Sequence, residues 1–338
     1  MRKLVLENTF GFDGLSLVAC DEPAPGHGQV CVRVGAVSLN YRDLLFVEGS
    51  YNPRARLPAV PVSDCAGVVT SVGPGVVDLK PGDRVVNLFM ENWAGGTAAP
   101  GLLSGSRGGG DKEGVAAEFV CFDESALLPV PDHLSLAEAA CLPCAAITAW
   151  SAVADAETVK PGAAVLVQGS GGVALFALQF ARIMGARTVL VSSSNEKLES
   201  VAHLQPDHVI NYQETPAWAK PARAALAPDG FDLVVEIGGA ATLEQSLRAV
   251  RVGGTVAMIG VVSGATAPLN LPLAVMRQVR LQGVTVGSRA AMADMLRAIE
   301  VHGLRPHIHA IVPLEDHRQA FALMKAGGHT GKIVMSLE

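Results

Sequence analysis

The run Val165-Leu-Val-Gln-Gly-Ser-Gly-Gly-Val-Ala174 constrains the fold more than any other ten residues of the chain. Four residues of apolar strand character enter Gly169, Gly171 and Ala174, and a mostly apolar helical pattern follows (Leu175, Phe176, Leu178, Phe180, Ile183). A strand, a glycine turn and a helix start in this spacing make a dinucleotide fingerprint. Gly169 allows the tight turn, Gly171 lets the backbone approach a pyrophosphate, and Ala174 lets the helix pack close to its strand. The helix start, with Ser170, Gly171, Gly172 and Val173, offers unpaired N–H groups and a positive dipole end to phosphate charge.

The context supports a βαβ unit. Lys160-Pro161-Gly162 is a turn before the strand, and Arg187–Val191 reads as a second buried strand after the helix. Six strand candidates alternate with helices between residues 135 and 286: Val165–Gln168, Arg187–Val191, His208–Asn211, Leu233–Ile237, Thr255–Ile259 and Leu281–Val286. That alternation predicts an α/β fold with a doubly wound parallel sheet. Residues 1–134 instead carry short strands punctuated by Gly and Pro, among them Gln29–Val37, Ala66–Val72 and Arg84–Val86, which predicts a partly closed β-barrel. Residues 287–338 hold a helix (Met292–His302) and a last strand (Ile333–Met335) and are expected to return to the first domain. Asn92–Gly114 is rich in glycine without periodicity and reads as a mobile flap beside a substrate cleft, or as a plain surface loop.

The 338 residues are 49% hydrophobic and 17% charged, with a net charge of −6. No basic cluster is dense enough for nucleic acid, and no run of 18 apolar residues predicts a membrane span. With no apolar leader at Met1–Asn8, the expected location is the cytoplasm. The six cysteines suggest no disulfide framework. Cys141-Leu-Pro-Cys144 follows a capped helix start at Ser135, which is the wrong place for a redox motif.

Several motifs together carry a family resemblance. They are Ser38-Leu-Asn-Tyr-Arg-Asp43, Ser63–Gly73, Pro81-Gly-Asp-Arg-Val85, Glu138–Trp150, the glycine turn, and Gly331-Lys-Ile-Val334. With them the whole chain resembles the medium-chain dehydrogenase/reductase superfamily, and most of all its zinc-free quinone-oxidoreductase and enoyl-reductase-like branch. The resemblance implies a GroES-like domain (1–134 and 287–338), a Rossmann domain (135–286) and a homodimer paired through Leu281–Val286. Zinc-dependent members would have a ligand at each of three positions that here hold Asn40, Ser63 (followed by Asp64) and Cys144, and a four-cysteine lobe where 92–114 has no cysteine. Catalytic zinc needs three protein ligands, so no metal is expected.

Without a Lewis acid, a conjugated acceptor is easier to reduce than a simple carbonyl, because the charge spreads to an oxygen that hydrogen-bond donors can hold. The expected activity is NADPH-dependent reduction of a quinone, enone or enal. Asn40, Tyr41 and Thr148 are the candidate donors, with Arg42 behind them. Leu45 stands where quinone-reductase relatives often carry a tyrosine. Alternatives are a zinc-free alcohol or aldehyde oxidoreductase, and a non-catalytic NADPH-binding sensor.

The second strand ends in Ser192-Ser193-Ser194-Asn-Glu-Lys197, with no carboxylate at its tip. Serine hydroxyls and an ammonium suit a ribose 2′-phosphate, so NADPH is expected over NADH. The same serines would also cap a helix starting near Asn195. The resemblance adds Asn211 and Tyr212 to this pocket. It further implies Gly238 by the ribose, Gly260 and Val261 by the nicotinamide, and Ser288, Arg289 and Lys332 closing over the cofactor.

Overall fold

The computed structural model describes residues 1–101, 106–110, 112–154 and 158–337. They form two compact units, Met1–Ile147 with Gly287–Glu338, and Thr148–Val286. The first boundary thus falls after Ile147, later than the 134/135 division expected from the sequence. Residues 135–147 count with the first unit.

The second unit is built on six parallel strands. In spatial order they are His208–Asn211, Arg187–Ser192, Ala164–Gln168, Phe231–Glu236, Val250–Met258 and Arg280–Gly283. This 3-2-1-4-5-6 order is that of a doubly wound dinucleotide-binding sheet, and its reversal point lies at the Ala164–Gln168 strand. The central strand is buried throughout, as a parallel strand covered on both faces must be. Leu166, Val189, Phe231, Val234, Trp218 and Leu247 fill one core cluster. The last strand is shorter than expected. It stops at Gly283, and its four residues are all exposed.

In the first unit the eleven-residue strand Gln29–Leu39 is the spine. Lys332–Ser336, Asp64–Val72 and Phe119–Asp123 all pair with it, each antiparallel. Ile308–Pro313, Arg84–Asn87 and Leu127–Pro129 complete the sheet, while Arg2–Leu6 and Leu15–Ala19 form a separate hairpin. The core gathers Leu4, Leu6, Leu39, Phe46, Phe122, Phe321 and Ile333. The C-terminal strand therefore lies beside the strand that leads into Asn40, which positions the site described below.

Ser135 caps the helix Leu136–Ala139 in a capping box with Glu138. The chain continues through a π-helical turn (Leu142–Ala146) into helix Ile147–Val153. Leu136–Val153 is long and apolar enough to cross a membrane, contrary to the sequence expectation, but two-thirds of it (67%) is buried within the protein. Its hydropathy is explained by that packing.

The glycine-rich segment is anchored where it is described. Arg42 Nη1 donates to Arg107 O (2.8 Å) and Asn52 Nδ2 to Gly109 O (3.0 Å). Glu91 pairs with Arg107 and with Lys112. A Cβ at Gly108 would strike Val62, at Gly110 Ala55, and at Gly114 the carbonyl of Pro61. These glycines are required by close packing, a cause that composition alone does not separate from mobility. Residues 102–105 and 111 of the expected flap lie outside the described residues.

Candidate active site and cofactor cradle

The first unit holds a buried polar cluster centred on Asn40. Asn40 ends the spine strand and starts helix Tyr41–Val47, and its backbone N–H donates to Asp43 Oδ2 (2.8 Å). Lys332 Nζ donates to Leu39 O (2.7 Å) and to Asn40 Oδ1 (2.6 Å). An ammonium only donates, so it fixes which way the Asn40 amide faces. The Nδ2 group then points to Ser63 Oγ at 3.4 Å. Ser63 in turn donates to Asp64 Oδ1 (2.7 Å), and Cys144 N donates to Asp64 Oδ2 (3.0 Å).

Burial dominates the electrostatics of this cluster. It raises the Asp43 carboxyl to about 6, against the pull of Arg42 and Lys332, with Asp64 adding to the rise. It also raises Asp64, opposed by Lys332, Asn40, Ser63 and the Cys144 N–H. The Cys141 thiol is pushed up to about 12 by burial, and Cys144 is pushed up by burial and by Asp64. Both are therefore held as thiols in this cluster.

A catalytic zinc ion would need three protein ligands here. The three ligand positions offer an amide, a hydroxyl (with Asp64 beside it) and a single thiol, and an ammonium already sits against the amide. Among the described residues no group of three or more His, Cys, Asp or Glu gathers to hold a metal. This donor set does not fit catalytic zinc.

The other expected donors are placed differently. Tyr41 is 47% exposed on the first turn of its helix. Thr148 belongs to the second unit, and its hydroxyl donates to Thr285 O (3.1 Å). Its hydroxyl rests on that carbonyl rather than on the Asn40 cluster.

In the second unit the glycine turn forms a cradle at the C-terminal ends of the strands. Gly169 adopts φ +85°, a left-handed conformation that suits glycine. A Cβ built on Gly171 would meet nothing within 4 Å, so the backbone before helix Gly172–Ile183 faces open space. Ser170 and Ser192 join across the turn with their hydroxyls 3.0 Å apart. Ser194 caps helix Asn195–Ser200 by accepting from Lys197 N (3.3 Å). Asn211 is in register with Ser192, and Tyr212 N donates to Ser192 O (2.9 Å). Residues 192–197 and 211–212 are thus brought together. These groups fit a dinucleotide, with the turn and helix start available to the pyrophosphate and the serine tip to the adenosine ribose.

Two carboxylates at these strand ends escaped the sequence reading. Glu214 accepts from Asn195 Nδ2 (2.7 Å) and Asn211 Nδ2 (3.1 Å), so the serine tip has an acidic neighbour after all. It lies in the turn after the adjacent strand His208–Asn211, and only the strand order could have revealed it. Buried Glu236 accepts from Gln168 Nε2 (2.8 Å), Gly239 N (2.9 Å), Thr242 Oγ1 and Ser246 Oγ. It ties the end of the fingerprint strand to the next loop. Its signal was a lone acid ending an apolar strand.

The remaining expected cofactor residues have these surroundings. Gly238 and Gly260 are closely packed: a Cβ at the first would meet Thr242, and at the second would strike Ile237 O. Val261 is 61% exposed beside them. Ser288 caps its own helix through Ala291 N, and Arg289 Nη1 donates to Leu127 O (2.9 Å). Lys332 is 3% exposed and engaged with Leu39 and Asn40. All three belong to the first unit. A cavity of about 640 Å³ lined by Arg223, Arg248 and Arg277 lies at the opposite strand ends. Arg277 there caps carbonyls of Arg248 and Val250 at a helix C-terminus, so the arginines offset a helix dipole.

A nucleotide-binding sheet of this order, with a glycine turn at its reversal point and a GroES-like companion, defines an NAD(P)-dependent oxidoreductase. Residues 26–132 match the family model for the alcohol dehydrogenase GroES-like domain, and residues 172–300 that for zinc-binding dehydrogenases. The chain belongs to the medium-chain dehydrogenase/reductase superfamily. It is 37% identical, over 100% of its length and 99% of the relative's, to a zinc-type alcohol dehydrogenase-like protein of Schizosaccharomyces pombe. Among solved structures it resembles an NAD-dependent alcohol dehydrogenase (32% identity, TM-score 0.91, 100% of both chains). It also resembles the crotonyl-CoA carboxylase/reductase AntE in complex with NADP (26% identity, TM-score 0.88, 99% of this chain and 94% of that one).

Proposed function

We propose that this chain is a zinc-independent reductase that uses NADPH to deliver hydride to a conjugated carbonyl acceptor, a quinone or an enone or enal. The observation that supports the reading is the Lys332–Asn40 contact, an ammonium held against the amide at a position that the family resemblance gives to a metal ligand. Bound NADPH supplies the hydride. The protein's part is to hold the developing oxyanion, and the oriented Asn40 Nδ2 is the donor best suited to it. Tyr41, exposed next to it, is a second donor. The proton that completes the product comes from water.

NADPH is favoured over NADH by Ser192, Ser193, Ser194, Lys197 and Tyr212 at the strand tip, with Glu214 opposing. The NADP complex of AntE is in keeping with this choice. We further read the protein as a cytoplasmic homodimer. The exposed edge strand Arg280–Gly283, with exposed Leu271, Val275 and Met276 nearby, supports pairing with a second copy.

A panel of quinones, enals, alcohols and aldehydes with NADPH and NADH tests the reading. Turnover of conjugated acceptors, unchanged by a chelator and with no bound metal on elemental analysis, is the expected result. Activity confined to alcohols, or lost on chelation, overturns it.

A further inference from the structure

Cys31 and Cys121 stand directly opposite each other where Gln29–Leu39 pairs with Phe119–Asp123. The flanking backbone bonds tell which kind of pair they make. Val34 N donates to Glu118 O (2.9 Å), and Glu124 N donates to Gly28 O (3.0 Å). Hydrogen-bonded and non-hydrogen-bonded pairs alternate along an antiparallel ladder. Residues 28 and 34 belong to bonded pairs, so residue 31, an odd number of steps from each, belongs to a non-bonded one. In that class the Cα atoms lie about 4.5 Å apart and the side chains are closest. A disulfide needs a Cα separation of about 4.4–6.8 Å. The Cys31 thiol itself points to Pro23 O (3.6 Å). Cys31 is buried, whereas Cys121 is partly exposed.

We propose that Cys31 and Cys121 form an oxidisable dithiol that closes to an intramolecular disulfide when a hydroperoxide reaches Cys121. The Cys121 thiolate attacks the O–O bond. An S–O bond forms, the O–O bond breaks, and hydroxide leaves to be protonated to water, giving a sulfenic acid. The Cys31 sulfur then attacks the Cys121 sulfur. The S–S bond forms, the S–O bond breaks, and the hydroxyl leaves as water with the Cys31 proton. Both electrons taken from the two thiols end on the peroxide oxygens. The strand so tied is the one that leads into Asn40.

The reaction has a defined pH dependence. Burial and the neighbouring Cys31 push the Cys121 thiol up to about 11, with Arg107 lowering it and Glu22 raising it. Thiolate is therefore scarce at neutral pH, and the rate climbs by about tenfold per pH unit below that value.

The test treats the full-length reduced protein with hydrogen peroxide, quenches with N-ethylmaleimide and maps peptides without reductant. The expected product lacks two maleimide adducts, contains a linked Cys31–Cys121 peptide pair, forms faster at pH 9 than at pH 7, and reverts with dithiothreitol. In Cys31→Ala, Cys121 is expected to stop at a sulfenic acid that dimedone traps. Alkylation of both cysteines after oxidation overturns the proposal. So does Cys121 sulfinic acid beside an intact Cys31 thiol, or a disulfide to another cysteine or another copy. Should Cys31→Ala fail to fold, Cys121→Ser serves: its Cys31 is expected to stay fully alkylated by maleimide after peroxide, and loss of that adduct overturns the proposal.

Discussion

The Lys332 ammonium donates to the Asn40 amide oxygen at 2.6 Å, joining the last strand of the chain to the end of its longest one. Both groups lie in a region that also buries Asp43 and Asp64. Replacing Lys332 with Met leaves two buried carboxylates without that cation and frees the amide to flip. Breaking a buried charged contact from one side costs about 3–5 kcal/mol. Lys332→Met is therefore expected to lose stability of that order in urea unfolding. Its kcat/KM with a quinone acceptor should fall by about 100-fold, as for loss of an oriented oxyanion donor. Lys332→Arg should recover most of the stability but less of the activity, because a planar guanidinium cannot occupy the ammonium's position between Leu39 O and Asn40 Oδ1.

Asp43 predicts a stability profile that runs against the usual carboxylate trend. Its folded-state value of about 6 lies above the unfolded value near 4, so the folded protein binds the proton more tightly. The unfolded chain then holds fewer protons between about pH 4 and 6, and stability contributed at this site falls as pH rises through that window. The span corresponds to roughly 3 kcal/mol as an order of magnitude. Unfolding of wild type and Asp43→Asn, measured from pH 4 to 7, should show a steeper downward component in wild type, with the raised Asp64 leaving a remainder in the variant. Parallel profiles would remove the basis for it.

What was legible in the sequence was local. The strand at His208–Asn211 and the Ser135–Glu138 cap are written in neighbouring residues, and the structure has them at the same positions. The site is written across the chain. Lys332 meets Asn40 only because the C-terminal strand pairs beside the spine, and no periodicity announces a partner 292 residues away. Glu214 reaches the serine tip by the same logic of strand order. Gly108 and Gly110 misled in a different way, since a glycine demanded by tight packing has the same letter as one in a mobile loop.

The strand tip makes a prediction about cofactor choice. Ser192 is buried and joined to Ser170 across the glycine turn. Aspartate at this strand end would bind a ribose 2′-hydroxyl and repel a 2′-phosphate. Ser192→Asp is expected to lower the NADPH-to-NADH ratio of kcat/KM by about tenfold or more, given charge-assisted contacts of this kind. An unchanged ratio would remove the serine tip from cofactor recognition.

The two fingerprint glycines should fail differently when replaced. Gly169 needs its left-handed φ of +85°, so Gly169→Ala is expected to destabilise the fold by about 1–2 kcal/mol, whatever is bound. Gly171 has an ordinary φ of −81°, and an added Cβ meets no protein atom within 4 Å. Gly171→Val should therefore keep the melting temperature of the unliganded protein close to wild type. If that open space receives the pyrophosphate, the valine methyl groups intrude on it and the Kd for NADPH rises by about tenfold or more, an energy loss of about 1.4 kcal/mol. Calorimetry with and without NADPH separates the two glycines. Equal NADPH affinity in Gly171→Val and wild type would show that the helix start, although open, is not where the phosphates bind.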